Sequence, residues 1–139
     1  MRIQTLLLTA AVATPAFADG HGAALYGEYC AACHGAALEG QPDWREPGPD
    51  GTYPAPPHDE SGHTWHHGDG LLFDYVKRGG AVVLAEAGVS NYASGMPGFG
   101  DALRDEDITA ILDYIRSTWS PRVRALQETR TEAEALYGN

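Results

Sequence analysis

The chain has 139 residues and a formal net charge of −10, from 19 acidic side chains against 9 lysines and arginines. The length bounds it to one domain, and the acidity excludes a surface built for nucleic acid phosphates or anionic lipid heads. Such a surface favours a partner with a basic docking patch, or else it serves solubility alone.

The first eighteen residues read as an export signal rather than as part of the fold. Arg2 gives a positive start, "LLLTAAVA" an apolar stretch, and Ala16–Phe17–Ala18 a small-x-small cleavage site. The apolar run is too short to span a bilayer, and no later run is long enough. Cleavage after Ala18 leaves a domain over residues 19–120 and a tail over 121–139. It removes Arg2 and no acid, so the mature charge becomes −11, 8 basic against 19 acidic residues.

"GAALYGEYCAAC", Gly22 to Cys33, predicts a short helix with Leu25, Tyr26, Tyr29, Cys30 and Cys33 at helical spacing. Gly35 to Glu60 is loop-like, and "GQPDWREPGPDGTYPAPP" within it holds six prolines, which exclude a regular element. A loop of that length is either functional or wrapped around something. A second helix starts at Asp69, with Leu71, Leu72, Tyr75 and Val76 on one face and Gly79 as a left-handed cap. "SNYASGMPGFG" is again a loop.

The strongest periodicity runs from Asp105 to Trp119, where Ile108, Ile111, Leu112, Ile115 and Trp119 form one stripe. Asp105 to Asp107 crowd its first turn, where the helix dipole favours anions. Pro121 ends that helix or starts the next. The tail has a weaker pattern through Val123, Leu126, Ala133 and Leu136, which predicts a loosely docked extra helix or a partly disordered end. No strand shows convincing alternation. The predicted class is all-α with long loops, and a core this small calls for a disulfide, a metal or a large cofactor.

The only two cysteines, Cys30 and Cys33, stand three apart, with His34 directly behind. That spacing fits a redox dithiol, half a zinc site, or covalent haem attachment. A thioredoxin-like dithiol needs strands around it, and a structural zinc site needs four ligands. Zinc held with distant histidines has nothing in its favour. Haem attachment uses all three residues: two thiols for the two vinyl groups, and an imidazole for the iron. The mature chain has one methionine, Met96, in a Gly/Pro-rich loop before the main helix. Core filler is the plain reading of a lone methionine, but "SGMPGFG" has no apolar helical face. Met96 opposite His34 closes the iron's coordination sphere, which argues for electron transfer over oxygen chemistry and against an enzyme.

"GAALYGEYCAACHG", "GDGLLFDYVKRGG" and "GMPGFGDALRDEDITAILDYIRSTW" together resemble a class I, monohaem c-type cytochrome of bacterial periplasmic type, over nearly all of Gly22 to Trp119. The resemblance implies a small cytochrome c-like helical fold around one covalent haem c, in the periplasm. It implies that the first and last family helices cross, with Gly22 and Tyr26 meeting Ile111 and Tyr114. It implies a proline carbonyl, Pro56 or Pro57, on the Nδ1 of His34, and that the indole of Trp65 reaches a haem propionate. Two places depart from the pattern: His58 stands where a leucine commonly packs on the porphyrin, and Arg104 stands at the usual Ser/Thr cap, leaving Asp105 to cap.

The expected function is therefore soluble electron transfer between redox partner proteins that dock by basic patches. A dedicated cytochrome subunit of an oxidoreductase complex, with the acidic tail as docking element, fits the same residues. A third reading concerns "HDESGHTWHHGD" with His58, His63, His66 and His67, in which His63 and His66 can share a side and bind copper or zinc. The competing reading has these imidazoles bonding propionates or loop carbonyls. Neighbouring side chains diverge, so His66 and His67 cannot easily meet one metal.

Overall fold

The computed structural model describes residues 18–138; the expected leader, residues 1–18, lies outside them apart from Ala18. The elements in order are α1 (Ala18–Tyr29), α2 (Ala31–His34), β1 (Thr52–Tyr53), α3 (Asp69–Arg78), α4 (Gly80–Glu86), β2 (Ala93–Ser94), α5 (Asp105–Ser117) and α6 (Pro121–Tyr137), with a 3-10 turn at Thr64–His66. The class is all-α, as the periodicity predicts. β1 and β2 pair in parallel, Thr52 opposite Ala93 and Tyr53 opposite Ser94. Two residues cannot show alternation, so no sequence pattern announces them. No helix among the described residues is long and apolar enough to cross a membrane.

The core forms where α5 lays its stripe against α1. Ile108 and Ile111 are fully buried, and Leu112, Ile115 and Trp119 are buried beside them. Each such side chain contributes roughly 1.5–3 kcal/mol on burial, which makes α5 the main organiser of the core. Gly22 is what lets α1 come close: a Cβ there would lie 2.1 Å from the Ala110 carbonyl oxygen and 3.0 Å from the Tyr114 Cβ. Tyr26 sits 5.4 Å from Tyr114, ring to ring, and is buried. The crossing therefore rests on Ala110 and Tyr114.

Helix termini depart from the sequence reading in two places. Arg104 itself occupies the N-cap of α5, and Asp105 does not cap. An arginine side chain has no acceptor, so the carboxylate of Asp107 reaches back to the Arg104 N–H at 3.3 Å and to its Nε at 3.0 Å. The ion pair with Arg104 and a bond to His21 hold Asp107 below the usual carboxylate range. Gly79 ends α3 at φ 87°, ψ 149°, an extended positive-φ conformation rather than a left-handed one. α4 follows at once; its seven residues "GAVVLAE" carry no cap and were not expected as a helix.

The tail takes the helical one of its two expected forms, but it docks through other residues than its apolar pattern suggests. Residues 121–137 form a continuous helix, held by side-chain hydrogen bonds rather than by an apolar stripe. Val123 and Gln127 are buried on its inner face, while Leu126 and Leu136 are exposed. Gln127 Nε2 donates to Asp69 Oδ1 at 2.7 Å and to the His67 carbonyl at 3.2 Å. The tail is not acidic either: Arg122, Arg124 and Arg130 balance Glu128, Glu132 and Glu134.

Candidate haem site

The cysteine segment sits where α1 gives way to α2. Cys30 keeps its N–H on the Tyr26 carbonyl at 2.9 Å, and its own carbonyl accepts from His34 at 2.9 Å. One helical turn thus separates Cys30 from Cys33, which puts both sulfurs on one side. No disulfide joins them, and Cys30 is buried while Cys33 is exposed. Burial pushes the Cys30 thiol up to about 11, with Cys33 adding a smaller repulsion.

His34 is buried, 7% exposed, and its Nδ1 lies 2.8 Å from the Pro56 carbonyl oxygen. A carbonyl only accepts, so Nδ1 carries the proton and Nε2 keeps a free lone pair. Burial lowers the His34 pKa, and the Pro56 carbonyl offsets only part of that. The ring is therefore neutral and pre-set in the tautomer that binds a metal through Nε2. Tyr26 Oη donates to the Gly35 carbonyl at 2.8 Å, and Gly40 N–H to the His34 carbonyl at 2.8 Å, so the segment behind the ring is fixed.

His58 is the residue whose part sequence reasoning missed. Its ring stacks on His34 at 3.9 Å and 20°, and its Nδ1 lies 2.8 Å from Thr64 Oγ1. The His58 backbone is pinned twice, by its own N–H on the Leu38 carbonyl and by the Trp119 indole N–H on its carbonyl, both at 2.8 Å. Desolvation, then the neighbouring His34 and His63, hold its pKa well below the ordinary value. A neutral, flat ring thus braces His34. Leu38 supports it from a φ of 64°, an uncommon conformation for a non-glycine; nothing in the sequence signals it.

Met96 is half-buried and packs against the hydrophobic core, as the partly buried Leu72, Phe73 and Phe99 also do. Its carbonyl accepts from Gly80 N–H at 3.1 Å and its N–H donates to Ser94 Oγ at 3.2 Å. Trp65 donates its indole N–H to the Glu60 carbonyl at 3.3 Å and lies against His66. His63 stacks on Trp44 at 5.3 Å and meets His67 edge-on at 5.4 Å. Its Nδ1 is buried without a hydrogen-bond partner. No group of three or more His, Cys, Asp or Glu among the described residues is arranged to hold a metal ion.

The attachment segment offers two cysteines one turn apart and a buried imidazole whose Nε2 is free to bind a metal. It suits a flat, apolar iron macrocycle with carboxylate arms, for which the unpaired His63 nitrogen is a fitting donor. All-α fold and site together define a c-type cytochrome. The chain matches the sequence model of the family described as Cytochrome c over residues 20–119 and belongs to that family. No curated protein and no solved structure gave a significant match. Family membership makes this a haem-binding electron-transfer protein with covalently bound haem c, and Cys30 and Cys33 have the spacing of its attachment motif.

Proposed function

We propose that the protein is a periplasmic one-electron carrier with a single haem, linked through Cys30 and Cys33 and ligated axially by His34 and Met96. When bound, the haem supplies the redox chemistry, its iron alternating between ferric and ferrous. The chain's residues do the rest. Pro56 holds the His34 proton on Nδ1, so that Nε2 stays available across the neutral pH range, and the stacked His58 keeps the ring from turning. Met96 would hold the iron through a soft sulfur, a ligand type that favours the ferrous state.

The observation that carries this reading is the buried His34, fixed by Pro56 and braced by His58, directly behind the cysteine pair. A full coordination sphere leaves no site for substrate, which supports a carrier rather than an enzyme. The leader-like residues 1–18 support export, and the charge of −11 on the mature chain supports partners that dock by basic patches. The oxidised protein should show the weak absorption band near the red end that reports iron–sulfur ligation. Met96→Ala should abolish it; an unchanged spectrum in that variant would refute the assignment.

A further inference from the structure

The helix α3 begins at Gly68, which has no side chain to cap it. Its first three N–H groups are nonetheless satisfied, all from α6. Asp69 N–H donates to Thr131 Oγ1 at 3.1 Å, Gly70 N–H to Glu134 Oε2 at 3.0 Å, and Leu71 N–H to Glu134 Oε1 at 2.7 Å. The side chain of Asp69 is also held, by Gln127 Nε2 at 2.7 Å and by Arg116. Glycines make the room: a Cβ on Gly68 would lie 2.1 Å from Glu134 Oε2, and one on Gly70 would lie 2.8 Å from Oε1. Ordinarily a helix is capped by the residue preceding it. Here a carboxylate from a different helix fills that place, where it also meets the positive end of the α3 dipole.

The other end of α3 holds the Met96 loop. Phe99 N–H donates to the Val76 carbonyl at 2.9 Å, Gly100 N–H to the Lys77 carbonyl at 2.9 Å, and Gly80 N–H to the Met96 carbonyl at 3.1 Å. A ten-residue helix is a rigid rod about 15 Å long, so its placement sets the placement of that loop. We propose that Glu134, with Gln127 and Thr131, positions Met96 through α3, so that α6 is a clamp on the sixth ligand and not an appendage. The proposal rests on the reading that Met96 binds the haem iron. α6 lies outside the residues matched to the family.

The test uses the haem-loaded, full-length protein and imidazole as the probe. Imidazole binds ferric iron only when the methionine lets go, so its apparent affinity reports the population with the Met96 loop open. In Glu134→Ala that affinity should rise about tenfold, which equals roughly 1.4 kcal/mol and lies within the range for losing a helix cap. Glu134→Gln keeps one acceptor oxygen and should fall between; it also carries the comparison if the alanine variant folds poorly. Leu136→Ala, exposed on the same helix, should bind imidazole as the parent does. A general loss of stability would lower the urea midpoint without tightening imidazole. Parent-like affinity in both Glu134 variants would overturn the clamp. Lack of the iron–sulfur band in the parent would overturn the Met96 reading beneath it, and that result is seen before any variant is made.

Discussion

Replacing Gly22 by alanine puts a methyl carbon 2.1 Å from the Ala110 carbonyl oxygen and 2.8 Å from its carbon. The obstacle is backbone inside α5, so no side-chain rotation relieves it; the two helices must move apart by about an ångström and loosen the packing of Tyr26 on Tyr114. Overpacking of this kind costs about 1–3 kcal/mol or more, and a rigid obstacle places this site at the upper end. The gain in helix propensity from glycine to alanine returns about 0.8–1 kcal/mol. The net expectation is a loss of about 2 kcal/mol. Gly27 lies in the same helix with nothing within 4 Å of its would-be Cβ. Gly27→Ala should therefore stabilise by about 0.5–1 kcal/mol. Guanidinium unfolding of both haem-loaded variants, followed by far-ultraviolet circular dichroism, compares them directly. Equal midpoints for the pair, or a stabilised Gly22→Ala, would refute the close crossing of α1 and α5.

Tyr26→Phe should cost about 1–2 kcal/mol, because it leaves the Gly35 carbonyl without its donor; the urea midpoint of the haem-loaded variant checks it. His67 carries a pH dependence of known sign. Burial, then His63, His66 and Arg130, hold its pKa down to about 4, whereas the unfolded chain takes up a proton near 6.5. The folded state thus gains stability that is complete above about pH 6.5 and lost as the pH falls toward 4. Discounted for the partial exposure of the ring, the loss is about 1–2 kcal/mol. Urea titrations across that range should show a shallower slope for His67→Phe than for the parent, and parallel curves would contradict it.

Legibility followed the chemistry of each element. The α5 stripe was readable because five large apolar residues recur at three and four, and all five are buried. The helical form of α6 is legible, but the weak pattern through Val123, Leu126, Ala133 and Leu136 does not mark the docked face, since of these only Val123 is buried. The helix docks instead by Val123, Gln127, Thr131 and Glu134, three of which are polar and look like surface in a sequence. Thr131 and Glu134 accept from backbone N–H groups at the start of α3, while Gln127 donates to the Asp69 carboxylate and the His67 carbonyl, and no pattern of side chains records where another helix will need a cap. The candidate site divides the same way. Cys30, Cys33 and His34 are legible from their spacing, which is that of the family's attachment motif, and Met96 is proposed from the scarcity of methionine. The stack of His58 on His34 is not legible, because it depends on the turn through Leu38, whose positive φ has no sequence signature. The histidine run admits a metal pair at His63 and His66 or imidazoles bonded to propionates and loop carbonyls; the fold deals its members out, His58 to His34, His63 to Trp44 and His67, His66 to Trp65.

An optically monitored redox titration of the haem-loaded protein, parent and Met96→Ala side by side, tests the central claim most directly. The account predicts one reversible one-electron transition in the parent, accounting for the whole haem absorbance. It predicts a lower potential in the variant, where water or a harder ligand in place of sulfur favours ferric iron. Identical potentials in the two proteins, or a parent whose absorbance changes in more than one step, would contradict a single haem held between His34 and Met96.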